Sequence, residues 1–226
     1  MGLAHMGPEF LEVASRRREA VLAGHRGDED GARLALSDPD AGVRGCGLGA
    51  LARMGALRPG DMRAALSSPV ASLRRRACDI AALSPGLAGT ATELSKLLQD
   101  PDAGVVEAAC YALGEVLDST AGHPISDEER GRSTRALGGT VREHPEALCR
   151  EAAVAALGAI GDQEALPAVL AALADKPAIR RRAVVALAAF DGPLVSVALE
   201  RALDDRDWQV RQVAQDLLER RPRERR

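Results

Sequence analysis

Apolar residues return along this chain at i, i+4 and i+8, and each such run follows a short polar start. The string DPDAGV stands at 38–43 and again at 100–105, 62 positions on. Related starts are SSPVASL (67–73), EHPEALC (143–149), DKPAIRR (175–181) and DDRDWQV (204–210). Aligned on the apolar residue after each start, the first column reads Val43, Leu73, Val105, Cys149, Ile179 and Val210, at intervals of 30, 32, 44, 30 and 31. Four residues on come Gly47, Ala77, Ala109, Ala153, Ala183 and Ala214; eight on come Leu51, Ala81, Leu113, Leu157, Leu187 and Leu218. That spacing places all three columns on one helical face. Its large–small–large profile lets a second helix approach closely. In Asp-Pro-Asp, Asp38 is expected to cap the first free N–H groups, Pro39 to take the first helical position and Asp40 to favour the positive end of the helix dipole.

Shorter helical patterns lie between these runs, at 30–37, 60–67, 89–99, 127–143, 162–174 and 192–203, and a leading helix is predicted at about 11–23. Each unit therefore reads as helix A, a turn, helix B and a short loop. A period near 31 residues built from helix pairs predicts an α-solenoid, because one pair cannot bury its apolar face without its neighbour. Two such periods separate the DPDAGV copies.

Units such as DPDAGVVEAACYALGEVLD (100–118) and CREAAVAALGAIGDQEALPAVLAAL (149–173) resemble short HEAT repeats, the subtype also called bilin-lyase-like. The resemblance covers about 28–220. It implies an all-α, right-handed α-solenoid (an α–α superhelix) of about six HEAT-like hairpins, and a scaffold that holds a protein on the concave surface of its B helices. It also brings two other classes into view, namely HEAT-like alkyl-purine DNA glycosylases and bilin lyases or isomerases. The domain reading is a leader at 1–10, a repeat domain at 11–220 and a basic disordered tail at 221–226. His5-Met6 and Glu9-Phe10 are what two common cloning sites encode, so the leader is set aside.

Composition narrows the function. Hydrophobic residues make up 46% and aromatics 2%, so the core is Ala, Leu and Val, which suits helix packing better than a deep pocket for a flat cofactor. No cofactor is expected, and no run of about 18 apolar residues predicts a membrane span. All basic residues but Lys96 and Lys176 are arginine, which with the abundant Ala and Gly points to a GC-rich, bacterial genome. The tail RRPRERR (220–226) holds five Arg and one Glu, so the body is more acidic than the formal net charge of −3. That speaks against a nucleic-acid footprint over the whole surface. Cys46, Cys78, Cys110 and Cys149 form no CxxC pair and have no His at ligand spacing, so they read as reduced thiols of a cytoplasmic protein and not as a metal site. Cys78 and Cys110 share a column and read as small apolar fillers.

The column after the first reads Arg44, Arg74, Val106, Arg150, Arg180 and Arg211. It is either a basic stripe for phosphates or a ladder in which each Arg bonds loop carboxylates such as Asp38, Asp100, Asp175 or Asp205; the ladder is the favoured reading. Val106 interrupts it, and a softer joint is expected there. Beyond it, Arg75-Arg76 and Arg181-Arg182 match in position, with Glu107 and Glu151 between them in the series. Such alternation suits a folded partner better than a phosphate backbone. Glu107, Tyr111 and Glu115 form one stripe, two helical turns apart end to end, which does not make an acid–base pair. Arg75, Arg76, Asp79, Glu107, Tyr111, Glu115, Arg181 and Arg182 are the candidate partner-binding residues; no catalytic residue is assigned, and no enzyme is expected. Trp208 is expected to cover the open end of the stack. The insertion 118–130, with His123-Pro124, is a candidate functional loop. Gly45, Gly47 and Gly49 are expected to make their helix the least stable B helix.

Overall fold

The computed structural model describes residues 8–84, 86–87, 90–118 and 125–220, and all its regular structure there is helical. A leading helix α1 (Pro8–Arg26) is followed by six hairpins. They are α2 (Glu29–Ala35) with α3 (Ala41–Arg53), α4 (Pro59–Leu66) with α5 (Ala71–Leu83), and α6 (Thr90–Lys96) with α7 (Ala103–Leu117). Then come α8 (Asp127–Glu143) with α9 (Ala147–Ile160), α10 (Leu166–Ala172) with α11 (Pro177–Ala186), and α12 (Pro193–Ala202) with α13 (Trp208–Arg220). Short 3-10 turns extend α6 and α11 at their ends and precede α10. The chain is an α-solenoid: each hairpin packs on the ones before and after it in sequence.

The three apolar columns form the interior. Val105, Ile179, Ala77, Ala109, Ala153, Ala183, Leu51, Leu113, Leu157 and Leu187 are wholly buried, and only Leu218, at the end of α13, is half-buried. One apolar interior runs from Leu48 to Ala214. Two smaller clusters lie between α1 and the first hairpin, around Ala23–Leu51 and Ala20–Val43. The B helices α3, α5, α7, α9, α11 and α13 form one layer in which every consecutive pair is packed together; the A helices form a second layer that is open between α2 and α4 and between α10 and α12.

The repeated Asp-Pro-Asp divides its work differently from the expected cap. Both B helices begin one residue after the second aspartate: Asp40 accepts the Val43 N–H at 3.0 Å and Asp102 accepts the Val105 N–H at 3.1 Å. The first aspartate instead folds the turn, Asp38 and Asp100 accepting the N–H of Asp40 and Asp102. Its other partner is an arginine of the preceding unit. Arg74 donates to Asp100 through Nε (2.6 Å) and Nη2 (2.7 Å), Arg150 to Asp175 (2.7 and 2.9 Å), and Arg180 to Asp205 (2.9 and 3.0 Å). Helix α1 is in the same register, since Arg16 donates to Asp38 at 2.8 Å. The arginine column is thus a ladder between units. Arg150 and Arg180 hold Asp175 and Asp205 below the usual carboxylate range. At Asp38 and Asp100 burial pushes the other way, and the arginine and N–H bonds prevail.

Two expectations change here. Val106 is wholly buried in the continuous interior, and α7 packs on α9, so this joint has apolar packing where other joints have a rung. Gly47 is a requirement of the packing and not simply a weakness: a Cβ there would stand 2.8 Å from the Ala32 carbonyl oxygen and 2.8 Å from the Ala35 Cβ.

Candidate functional site

Small residues on the exposed side of α7 and α9 leave a groove of about 430 Å³, with Arg182 of α11 at its edge. Gly114 lets α7 approach α9 closely, since a Cβ on it would lie 3.2 Å from the Ala156 Cα. With Ala152, Ala155, Ala156 and Ala159 it gives the groove a low, apolar floor. The stripe Glu107–Tyr111–Glu115 forms one wall, spaced by helical turns so that all three side chains are exposed. Tyr111 is 58% exposed although it is the single tyrosine of the chain. Leu148 and Glu151 of α9 and Arg182 of α11 complete the lining. Arg182 Nη2 lies 3.6 Å from Glu151 Oε1. Three carboxylates, one guanidinium and an aromatic ring thus line one groove, and Glu151 is the carboxylate beside the guanidinium. The groove can hold a polypeptide side chain of mixed apolar and cationic character by contact, charge and hydrogen bonding.

Four of the eight sequence-derived candidates, Glu107, Tyr111, Glu115 and Arg182, thus meet in one groove. Arg76 belongs to another, of about 360 Å³, between α1, α3 and α5; it lies across Gly45 and Gly49, whose missing side chains leave it room. Arg75 and Asp79 are exposed on α5 and line neither groove. Arg181 is engaged in a second row of inter-unit pairs, donating to Asp207 at 2.9 Å as Arg17 does to Asp40. Leu148 was missed as a groove residue, although a leucine one place before the buried first column, where other units carry Gly, Ser, Ala or Gln, is a legible signal.

Trp208 does not close the stack: it is 65% exposed at the start of α13. Nor does it join Phe190 or Tyr111, because Phe190 is buried after α11 and Tyr111 is three B helices away on α7. The cysteines are free thiols, and Cys78, Cys110 and Cys149 are buried. Burial pushes the Cys78 thiol up to about 12 and raises Cys110 as well, so both are inert fillers at neutral pH. The loop 119–124, with His123-Pro124, and the tail 221–226 lie outside the described residues. None of the described helices is long and apolar enough to cross a membrane.

A fold of stacked helical hairpins with one continuous interior defines the class of α-solenoid repeat proteins. Within it, a family model described as HEAT repeats matches residues 134–219, the stretch from within α8 to the end of α13. Among solved structures, a designed armadillo repeat protein in complex with peptide (KR)4 is similar at 17% identity, with 91% of this chain and 97% of that chain covered and a TM-score of 0.57. A second designed armadillo repeat protein has 18% identity, 96% and 95% coverage and a TM-score of 0.48. The first likeness concerns the fold, and the peptide is that protein's own ligand. No curated protein matches the chain.

Proposed function

We propose that this protein is a non-enzymatic, cytoplasmic binding scaffold whose single repeat domain, 11–220, holds a protein partner on the face of its B helices. The observation that supports this most is the groove across α7, α9 and α11, where an exposed tyrosine stands among three glutamates over an alanine floor. Tyrosine in such a setting is a common anchor of interfaces. The tighter packing of the B layer than of the A layer supports the B face as the concave one. A preformed surface of this kind loses little freedom on association. Arg75, Arg76 and Asp79 extend it toward the N-terminal half, whereas Arg181 contributes to the array through Asp207. The peptide complex of the designed armadillo protein supports a polypeptide as the class of partner.

The double variant Tyr111→Ala, Glu107→Arg is expected to keep its helical circular dichroism, since both side chains are exposed. It should lose the proteins that the unaltered chain captures from native extracts. Equal capture by both forms would refute the assignment of this groove.

A further inference from the structure

We infer that the cleft between the first two hairpins is a binding site for a carboxylate on a short apolar stem, with Arg44 as its receptor. The inference rests on a rung of the ladder that has its arginine but not its acid.

In the rungs of Arg74, Arg150 and Arg180, Nη1 turns back to a carbonyl of its own unit, that of Ser68, His144 or Asp175, while Nε and Nη2 grip the next unit's aspartate. Arg44 begins the same arrangement: its Nη1 donates to the Asp38 carbonyl at 2.7 Å and the Pro39 carbonyl at 2.9 Å. Its guanidinium is therefore held by the same inner contact, yet its Nε and Nη2 have no partner among the described residues. The cause is local. Ser68 occupies the loop position of Asp38 and Asp100, and its hydroxyl accepts the Val70 N–H as they accept those of Asp40 and Asp102. The hydroxyl completes the turn and supplies no carboxylate to the arginine. Where the other interior rung is missing, both halves are gone, with Val106 for the arginine and His144 for the acid. Arg211 of the last unit also keeps its inner contact, to the Asp205 carbonyl at 2.7 Å, but it is exposed with no described unit after it. Among the described rungs between units, only Arg44 keeps the receptor without the acid.

The structure is also open at this point. A cleft of about 570 Å³ separates α2 from α4, with Arg44 on its wall beside Leu36, Leu48, Ala65 and Leu73. The other charged groups lining it are Arg33 and Asp61, and they are occupied: Arg33 donates to Asp61 (3.2 Å), Glu29 (2.7 Å) and the Ala56 carbonyl (2.8 Å), and Asp61 accepts the Arg58 N–H (3.0 Å). Arg44 is the cation with an open edge. A guanidinium fork matches a carboxylate in two parallel charge-assisted bonds, and the leucines give an attached alkyl chain a place out of water. The carboxylate comes either from a free small acid or from the carboxyl terminus of a polypeptide. The cleft is lined by none of the α7–α9–α11 groove residues, so the two sites stand or fall separately.

Calorimetric titration of the full chain tests this with 4-methylpentanoate against 4-methylpentanamide, and with acetyl-glycyl-leucine against its C-terminal amide. At least one acid should bind, and its amide should bind about tenfold more weakly or not at all. Binding of 4-methylpentanoate identifies a free acid as sufficient; binding of the peptide acid alone identifies a polypeptide terminus. Ser68→Asp should complete the rung from within, raise the thermal midpoint and abolish acid binding, and Arg44→Gln should abolish it without that gain. The proposal is overturned if no acid binds at millimolar concentration, if acid and amide bind alike, or if Ser68→Asp either fails to fold or still binds the acid.

Discussion

Each rung of the ladder joins two units through one arginine and one aspartate, and the Arg74–Asp100 pair is the most enclosed, with side chains 12% and 4% exposed. Removing the acid leaves a partly buried guanidinium unpaired. Asp100→Asn is therefore expected to lower stability at neutral pH by about 2 kcal/mol. The ladder aspartates have lowered pKa values in the fold, so their stabilisation is complete above the unfolded value of about 3.9 and is lost as pH falls through the folded values. The unaltered chain should thus weaken steeply below about pH 4, and Asp100→Asn should show a shallower decline. Urea midpoints measured across that range check both; identical slopes would show that Asp100 does not titrate with folding.

Within the B layer, helices meet through a recurrent contact nine places after the first column on one helix and seven places after it on the next. Gly114 meets Ala156 there, and Gly158 meets Ala186. A Cβ on Gly158 would stand 2.8 Å from the Ala186 Cβ and 3.0 Å from its Cα, whereas one on Gly139 of α8 would meet nothing within 4 Å. Gly158→Ala is expected to push α9 from α11 and cost about 1–3 kcal/mol. Gly139→Ala should stabilise by about 0.5–1 kcal/mol through helix propensity alone. Thermal denaturation of the two variants compares them directly, and a stabilised Gly158→Ala would refute the close-approach account. The sequence columns show which helical face is buried, but not this contact, because small residues are common everywhere in an alanine-rich chain.

Across the whole molecule, cohesion is uneven. The interior from Leu48 to Ala214 is continuous, while α1, α2 and much of α3 rest on two small clusters. At this joint the rung has no acid and the A layer is open. Repeat arrays open where the interface between neighbours is weakest. Amides of α2 should therefore exchange with deuterium ahead of those of α8 and α9, and uniform protection along the array would contradict the weak joint.

The sequence by itself determined the helices, their pairing and the buried columns, because a helix that buries one face must repeat apolar residues at helical spacing, and each unit meets the same packing problem. It also placed Glu107, Tyr111 and Glu115 on one stripe, since that relation lies within a single helix. Only the tertiary structure decided what crosses between helices. It brought Arg182, Leu148 and Glu151 to the tyrosine, paired Arg181 with Asp207, left Trp208 exposed and opened the cleft beside Arg44. Those outcomes depend on the distance and rotation between neighbouring units, which are set by small-residue contacts summed over whole helix faces and have no signature at any single position.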